Sequence, residues 1–265
     1  MIISFDELKS KLFEFRKKHK NFISNYISQD LSNKETIFFE NENGLLIFAY
    51  DTEYKLYKIY FVVETLEILD NLLFQANWNE NSSLEIIGKD EVDDNLKKLL
   101  KKYGFTQCAT LQKMSFLNNS QKFLELNESI DCCTLQDVKS LKKTFESKFN
   151  KYSENLPSIK EIEKAIEFNS IIKITDNKKI IGFLWFDKKK VLTELRYLFI
   201  DENYRGQKLS KRLMEQYLYL TKNVKKKQLW VLEDNNVAIN LYKKFSYKFE
   251  ELKDTIFKIE VNNEK

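Results

Sequence analysis

The stretch from Leu198 to Leu218 constrains the fold of this chain more than any other part of the sequence. It begins as the end of an apolar strand, turns through polar residues, and continues as a helix in which Leu209, Leu213 and Met214 recur at helical spacing. A strand that leads through a turn into a helix directs unpaired backbone N–H groups and the positive end of the helix dipole at one place. The stretch therefore predicts an anion site, suited to a pyrophosphate.

The order of the predicted elements repeats along the chain. Each half reads as helices, three strands, helix, strand, helix and strand, and in the first half the second of the early helices is predicted at residues 22–27. Residues 118–127 contain an Asn-Asn-Ser-Gln run that is typical of a linker. The sequence therefore predicts two similarly built domains, at residues 1–117 and 128–265.

Composition limits the classes of partner and of chemistry. The net charge is only +4, which gives no support for nucleic acid as a partner, and the sequence has no apolar run of the ~20 residues that a membrane helix needs. The single histidine, His19, and the three cysteines, Cys108, Cys132 and Cys133, show no metal-ligand spacing. We expect a cytoplasmic protein with no metal and no membrane partner.

Two motifs carry a resemblance to a known family. Arg205, Lys208 and Ser210 fall on the pattern Gln/Arg-x-x-Gly-x-Gly/Ala, and this stretch resembles the acetyl-CoA-binding motif of the GCN5-related N-acetyltransferases, the GNAT superfamily. Lys208 and Ser210 stand where the pattern has its first and second glycine. Glycine lets a phosphate approach the backbone closely, so the Lys208 side chain must point outward to leave that space.

The second motif follows the next predicted strand. Asn235, Ala238, Leu241 and Tyr242 are in register with the family's Asn-x-x-Ala-x-x-Leu-Tyr-x-x-x-Gly-Phe segment, and Ser246–Tyr247 replaces Gly-Phe. The two motifs stand in the right order, separated by one helix and one strand. Together they cover about the second half of the chain.

The resemblance implies the fold class α/β (α+β), with a mixed, mostly antiparallel central sheet flanked by helices, and two such domains in tandem. The first half matches less well. Its stretch Leu99–Phe105 is similar to the end of the second motif, but residues 62–67, where the phosphate turn should fall, have no Gly or Arg and include Glu64 and Glu67. Carboxylates repel phosphate, so we expect a degenerate first domain without cofactor.

The resemblance also assigns roles in the second half. The end of the strand binds the pantetheine amides as an added strand would, the turn supplies N–H groups to the pyrophosphate, and Asn235 contacts the cofactor arm. Tyr242 is the implied general acid, and Glu194 the implied base acting through water. The implied cofactor-binding residues are Leu198, Phe199, Ile200, Arg205, Gly206, Gln207, Lys208, Leu209, Ser210, Lys211 and Asn235.

Several roles have a second interpretation. Tyr242 also fits a core aromatic residue of an amphipathic helix, and Glu194 also fits a surface residue paired with Arg196. Glu233, at the end of the next strand, is a second candidate base. Regular alternation predicts Glu194, Arg196 and Leu198 on one face of the strand, and Leu195, Tyr197 and Phe199 on the other.

Charged residues outside the motifs also have two interpretations. The lysine-rich run at residues 222–227 fits either a 3′-phosphate site or a solvated surface. Asp137, Glu161 and Glu163 would attract a cationic amine, yet they also fit charges on helix surfaces.

The sequence thus predicts an acetyl-CoA-dependent N-acetyltransferase that transfers the acetyl group directly to a primary amine of a small molecule or peptide. The alternative is a non-catalytic module with the same fold that binds acyl-CoA or another protein. A homodimer is compatible with the sequence, and neither nucleic acid nor membrane is an expected partner.

Overall fold

A computed structural model describes residues 5–26, 31, 34–117 and 129–261, so the predicted linker at 118–127 lies outside the described residues. The chain divides into two compact units. The first comprises Met1–Thr110, Lys151–Glu154 and Leu252–Lys265, and the second comprises Leu111–Asn150 and Asn155–Glu251. Each compact unit therefore combines separate stretches of the sequence. The predicted domains, 1–117 and 128–265, are instead consecutive, and they stay a prediction.

The first unit is built on a sheet that is antiparallel except at one pair of strands. Its elements are α1 (Phe5–Lys18), β1 (Ile23–Ser24), β2 (Glu35–Asn41), β3 (Gly44–Asp51), β4 (Leu56–Val63), α2 (Leu66–Ala76), β5 (Ser82–Gly88), α3 (Asp94–Lys102) and the start of β6 (Thr106–Leu117). Strands β2, β3 and β4 pair antiparallel, and β4 and β5 pair parallel. The segment 22–27 is predicted as a helix, and residues 22–26 of it are described; Ile23–Ser24 instead form β1, which pairs with β4.

The last strand of the chain completes this sheet. Strand β12 (Lys248–Ile259) pairs antiparallel with β5 from Lys253 opposite Gly88 to Ile259 opposite Ser82. Apolar residues of α2 and α3 form one core cluster with the strands, and apolar residues of α1 form another. The strands therefore bury apolar side chains on both faces, which is the main source of stability for such a layered unit.

The second unit repeats this order of elements. It contains β7 (Asp131–Cys132), a 3₁₀ turn (Leu135–Asp137), α4 (Val138–Lys148), α5 (Ile159–Glu167), β8 (Ile171–Asp176), β9 (Lys179–Lys188), β10 (Leu192–Ile200), a second 3₁₀ turn (Glu202–Tyr204), α6 (Leu209–Leu220), β11 (Lys226–Leu232) and α7 (Asn236–Lys244). Residues Leu111–Leu117 of β6 pair antiparallel with β11, so the sheet of this unit runs β7-β8-β9-β10-β11-β6.

The helices of the second unit pack in two clusters. One core cluster joins α6 and α7 to the strands through Leu213, Tyr217 and Tyr242, and the other joins α4 and α5 to them through Phe145 and Ile162. The predicted fold class is confirmed, since the sheet is mixed and mostly antiparallel with helices packed on it, and the order of three strands, helix, strand, helix, strand occurs twice.

The alternation predicted for β10 is wrong beyond Leu195. The register with β9 shifts between Leu195 and Tyr197, which is a β-bulge. Leu195 and Leu198 consequently pack in the cluster of α6 and α7, whereas Tyr197 packs in the cluster of α4 and α5. An extra residue in a strand reverses which face the following side chains take, and no local periodicity in the sequence reveals it.

Candidate functional site

Strands β10 and β11 pair only at one end. Their parallel pairing runs from Leu192 opposite Lys226 to Leu195 opposite Leu229 and stops there. Beyond this point β10 continues to pair with β9 and β11 continues to pair with β6. The two strands therefore diverge, and the inner edge of β10 at Leu198, Phe199 and Ile200 is free of β11. Such an edge can bind an extended amide-bearing ligand as an added strand.

The turn after β10 is held by hydrogen bonds at its start. Asp201 Oδ1 accepts from the backbone N–H of Asn203 at 3.1 Å, Lys179 Nζ lies 2.8 Å from Asp201 Oδ2, and the Tyr204 hydroxyl donates to Asp176 Oδ2 at 2.7 Å. These contacts fix the chain just before Arg205. The residues that follow, up to the first turn of α6, are the predicted anion site.

The N-terminus of α6 has no side-chain cap. Lys208 occupies the N-cap position with φ +59° and makes no capping hydrogen bond, and Gly206 has φ +81° with open space around its Cα. The first N–H groups of a helix have no partner within the helix. Here the backbone N–H groups of Leu209, Ser210 and Lys211 begin such a helix, so the site retains donors for an anion.

The cations of the turn are available to a ligand. Arg205 and Lys208 are exposed, and neither makes an ion pair or a side-chain hydrogen bond with another residue in the described ranges. Gln207 is also exposed, Lys211 pairs with Glu215 at 3.4 Å, and the Leu209 side chain is buried in the core. Leu209 can therefore contribute only its backbone N–H group to an anion site, not its side chain.

Lys208 has a left-handed backbone at the position where the family pattern has glycine. An L-residue in this region costs about 1–2 kcal/mol. We expect Lys208→Gly to raise the free energy of unfolding by about 0.5–1 kcal/mol, after allowance for the more flexible unfolded glycine chain. Urea unfolding monitored by circular dichroism measures this. Lys211→Gly, three residues further along in α6, is the matched control and should instead lower the free energy of unfolding by about 1 kcal/mol. If both variants are destabilised, the backbone at Lys208 is not strained.

Asn235 directly precedes α7, and Tyr242 lies within this helix. The Asn235 side chain caps this helix, because its Oδ1 accepts from the backbone N–H of Ala238 at 3.1 Å. Tyr242 is buried in the cluster of α6 and α7, and burial raises the pKa of its phenol well above the ordinary value of about 10, with a smaller contribution from Tyr217. The phenol therefore stays protonated at neutral pH, which is the form that a general acid requires.

Glu194 does not pair with Arg196, the partner that its second interpretation predicted. Its Oε2 accepts from Gln228 Nε2 of β11 at 2.8 Å, whereas Arg196 lies 3.8 Å from Asp187 Oδ2. The pairing of Glu194 with Arg196 is thus wrong, because Gln228 is opposite Glu194 in the parallel register. Glu233, the second candidate base, lies exposed just after β11 ends.

The acidic residues weighed as acceptor sites have partners inside the fold. Asp137 Oδ2 accepts from Lys173 Nζ at 2.6 Å, and Glu161 Oε2 accepts from the backbone N–H of Ser158 at 2.8 Å in a capping box. Glu163 lies half-buried on α5. Glu161 is therefore an exposed charge on a helix, as its second interpretation predicted, whereas Asp137 is a half-buried member of an ion pair.

The four lysines of the run at 222–227 differ in burial and in their partners. Lys227 is buried, donates to the carbonyl of Val224 at 2.9 Å, and has its pKa lowered to about 8 by burial, and Lys226 Nζ lies 2.6 Å from Glu250. Lys222 and Lys225 remain exposed. The Lys222 ammonium lies 4.5 Å from the ring centre of Tyr219, and a 3′-phosphate site at this run stays a prediction.

The first unit contains the same divergence of strands, but its own chain fills the opening. Strands β4 and β5 pair only at Tyr57–Ser82 and Lys58–Ser83. Beyond them β1 pairs with Val62 and Val63. The Asn25 side chain donates to the carbonyls of Ile59 (2.9 Å) and Glu85 (3.1 Å), and its Oδ1 accepts from the N–H of Phe61 (2.6 Å). Asn25 thus spans the two strands.

The helix that follows β4 is also closed to an anion. Thr65 caps α2 by accepting from the backbone N–H of Ile68 at 3.3 Å, and the backbone N–H of Glu64 donates to the carbonyl of Asn43 at 3.0 Å. The carboxylate of Glu64 contacts His19. The sequence predicted the missing phosphate turn from Glu64 and Glu67, whereas no sequence signal identified Asn25.

One known family matches the second unit. The family described as "Acetyltransferase (GNAT) family" matches residues 138–247, which contain the divergent strands, α6 and Tyr242. No curated protein sequence matches this chain.

Solved structures share the fold over most of the chain. A GCN5-related N-acetyltransferase from Sphaerobacter thermophilus aligns with a TM-score of 0.58 at 13% identity, over 83% of this chain and 82% of that one. A GNAT-family acetyltransferase from Colwellia psychrerythraea aligns with a TM-score of 0.54 at 10% identity, over 98% and 99%. A tandem GNAT protein from the clavulanic acid biosynthesis pathway aligns with a TM-score of 0.51 at 8% identity, over 83% and 80%.

Proposed function

Because residues 138–247 form a domain of the acetyltransferase (GNAT) family, we propose that this protein transfers an acetyl group from acetyl-CoA to a primary amine. The observation that carries the proposal is the end of the β10–β11 pairing at Leu195 and Leu229, next to the uncapped N-terminus of α6. One free strand edge and one anion site follow each other along the chain. That order suits a ligand with an amide-bearing arm and a pyrophosphate.

The proposed chemistry uses groups on both sides of the sheet. The amine nitrogen attacks the thioester carbonyl carbon, a C–N bond forms, and the C–S bond breaks. Tyr242, in the cluster of α6 and α7, donates its phenol proton to the departing sulfur. Glu194, held by Gln228, accepts the proton of the amine through water. Leu198, Phe199 and Ile200 hold the pantetheine arm, and Arg205, Lys208 and the α6 N-terminus hold the phosphates.

The first test is acetyl-CoA binding by isothermal titration calorimetry. We expect wild type to bind, and Arg205→Glu to weaken binding by about tenfold or more, because reversing a charge beside a phosphate costs at least about 1.4 kcal/mol. Lys160→Glu is the matched control, since it makes the same charge change at an exposed position at the start of α5. Its affinity should equal that of wild type.

Two results would refute the proposed site. Wild type that fails to bind acetyl-CoA would refute the enzyme function itself. Equal affinity of wild type and Arg205→Glu for acetyl-CoA would mean that the protein binds acetyl-CoA but that the turn at Arg205 does not contribute to binding.

A second candidate function has its own supporting observation. The Tyr242 phenol is buried and its pKa is raised, which makes it a weaker proton donor to a thiolate than an exposed phenol. A protein that binds acyl-CoA without turnover, or that uses the fold to bind another protein, would have no need of that proton. Binding of acetyl-CoA without transfer to any amine would favour this candidate.

The proposed partners follow from the same reasoning. We propose a small-molecule or peptide amine as acceptor, no metal, no nucleic acid, a cytoplasmic location, and a homodimer as one form to test by light scattering. Over the described ranges, each helix is too short or too polar to cross a bilayer.

A further inference from the structure

Arg196 lies where the two strands diverge. It is the first β10 residue after the last β10–β11 pair, within the bulge between Leu195 and Tyr197. The anion site follows the other end of β10, after Ile200. A ligand that lies along β10 with its phosphates at the turn has its far end beside Arg196. If the proposed function holds, that far end carries the acetyl group.

The Arg196 side chain belongs to the face opposite Tyr242. Its guanidinium carbon lies 5.0 Å from the ring centre of Trp185 and 5.3 Å from that of Tyr197, and both rings belong to the cluster of α4 and α5. Tyr242 belongs to the cluster of α6 and α7. An amine that reacts on the face opposite the proton donor therefore meets Arg196.

The hydrogen-bond donors of Arg196 are only partly used. The guanidinium has five N–H donors, yet within the described ranges it makes one hydrogen bond, at 3.5 Å to the Tyr197 hydroxyl, and one ion pair, at 3.8 Å to Asp187. That hydroxyl itself donates to the carbonyl of Asn155, and Asp187 also accepts from Trp185 Nε1 at 3.1 Å. Arg196 keeps 23% of its side chain exposed, so a ligand can reach the remaining donors.

We infer that the acceptor carries a carboxylate as well as the amine, and that Arg196 binds this carboxylate. A planar guanidinium binds a carboxylate through two parallel hydrogen bonds. The carboxylate of Asp187, 3.8 Å from the guanidinium, disfavours a phosphate dianion more than a monoanion. An amino acid or a similar amino carboxylate fits these requirements. The inference rests on the proposed function and narrows its substrate class.

The test compares acceptors that differ only in the carboxylate. Each amino acid of a panel is paired with the amine that lacks its carboxylate, for example phenylalanine with phenylethylamine, and kcat/KM is measured with acetyl-CoA. Wild type should prefer the amino acid by about tenfold or more. Arg196→Gln should bring the ratio near 1 by raising KM, and Arg196→Lys should retain part of the preference.

Controls separate this role from a structural one. Lys188→Gln removes an exposed positive charge at the end of β9 and should leave the ratio unchanged. Acetyl-CoA affinity, measured by calorimetry on the same proteins, should be equal in wild type and Arg196→Gln. Intact acetyl-CoA binding and transfer without preference for the carboxylate, or a preference that survives Arg196→Gln, overturns this inference alone. Failure of wild type to bind acetyl-CoA overturns it together with the proposed function.

Discussion

Asn25→Ala should lower the free energy of unfolding by about 3 kcal/mol. The Asn25 side chain is buried and makes three hydrogen bonds to the backbone of β4 and β5, with Phe61, Ile59 and Glu85. Alanine would leave the buried N–H of Phe61 and carbonyl of Ile59 without partners, and each such loss costs about 1–3 kcal/mol. Urea unfolding gives the change in stability, and hydrogen exchange should show faster exchange at the Phe61 amide.

An exposed asparagine of the same unit provides the control. Asn41 accepts one hydrogen bond, from the backbone N–H of Asn43 at 3.0 Å, at the exposed end of β2. Asn41→Ala should therefore cost less than about 1 kcal/mol. Equal costs for the two variants would mean that Asn25 does not hold β4 and β5 together.

The opening between β4 and β5 is occupied by the chain itself, and this determines how many acetyl-CoA molecules we expect each chain to bind. Since β1 and Asn25 take the backbone groups that an added ligand strand would use, wild type should bind one acetyl-CoA per chain under the proposed function. Calorimetry that finds two equivalent sites would contradict the closure of the first unit.

Tyr242→Phe should lower kcat by about 100-fold and leave acetyl-CoA affinity unchanged within about twofold. The substitution removes only the hydroxyl that, under the proposed function, protonates the leaving thiolate, and general acids contribute about 10²–10⁴ to the rate. Because burial raises the pKa of Tyr242, the wild-type phenol stays protonated up to about pH 10. Activity should therefore show no loss through Tyr242 between neutral pH and that point. Steady-state kinetics across this range measure both effects.

Tyr247→Phe is a matched control for the loss of a buried phenol. The Tyr247 hydroxyl is buried and interacts with that of Tyr217, and the ring centre of Tyr247 lies 6.0 Å from that of Tyr242. Removing this hydroxyl should leave kcat unchanged, because Tyr247 has no part in the proposed reaction. If Tyr242→Phe retains wild-type kcat as well, the protein does not use Tyr242 as an acid, and the non-catalytic function gains support.

Much of the fold was predictable because it rests on local patterns. The periodicity of α6 and the apolar run of β10 lie within single segments, so the strand, turn and helix were predicted together. The two motifs at Arg205 and Asn235 predicted the family that matches residues 138–247. The departure at Lys208 was also visible in the sequence, although its left-handed backbone was not.

The partners of single side chains were less predictable. Glu194 was expected to pair with Arg196 as its second interpretation, but the parallel register with β11 places Gln228 opposite it. The expected contact of Asn235 with the cofactor arm stays a prediction, and what the structure adds is that its side chain caps α7. Such pairings depend on strand register and helix ends, which single-residue patterns do not specify.

The sequence by itself thus determined the repeated order of elements and the strand, turn and helix of the proposed anion site, because both arise from residues close together in the chain. The tertiary structure decided the rest. Only strand pairing produces the bulge at residues 195–197, ends the β10–β11 contact at Leu195, and brings Asn25 between β4 and β5. Likewise, β6 pairs with β11 and β12 with β5. These features depend on contacts between residues far apart in sequence, and the local propensity of a segment does not predict such contacts.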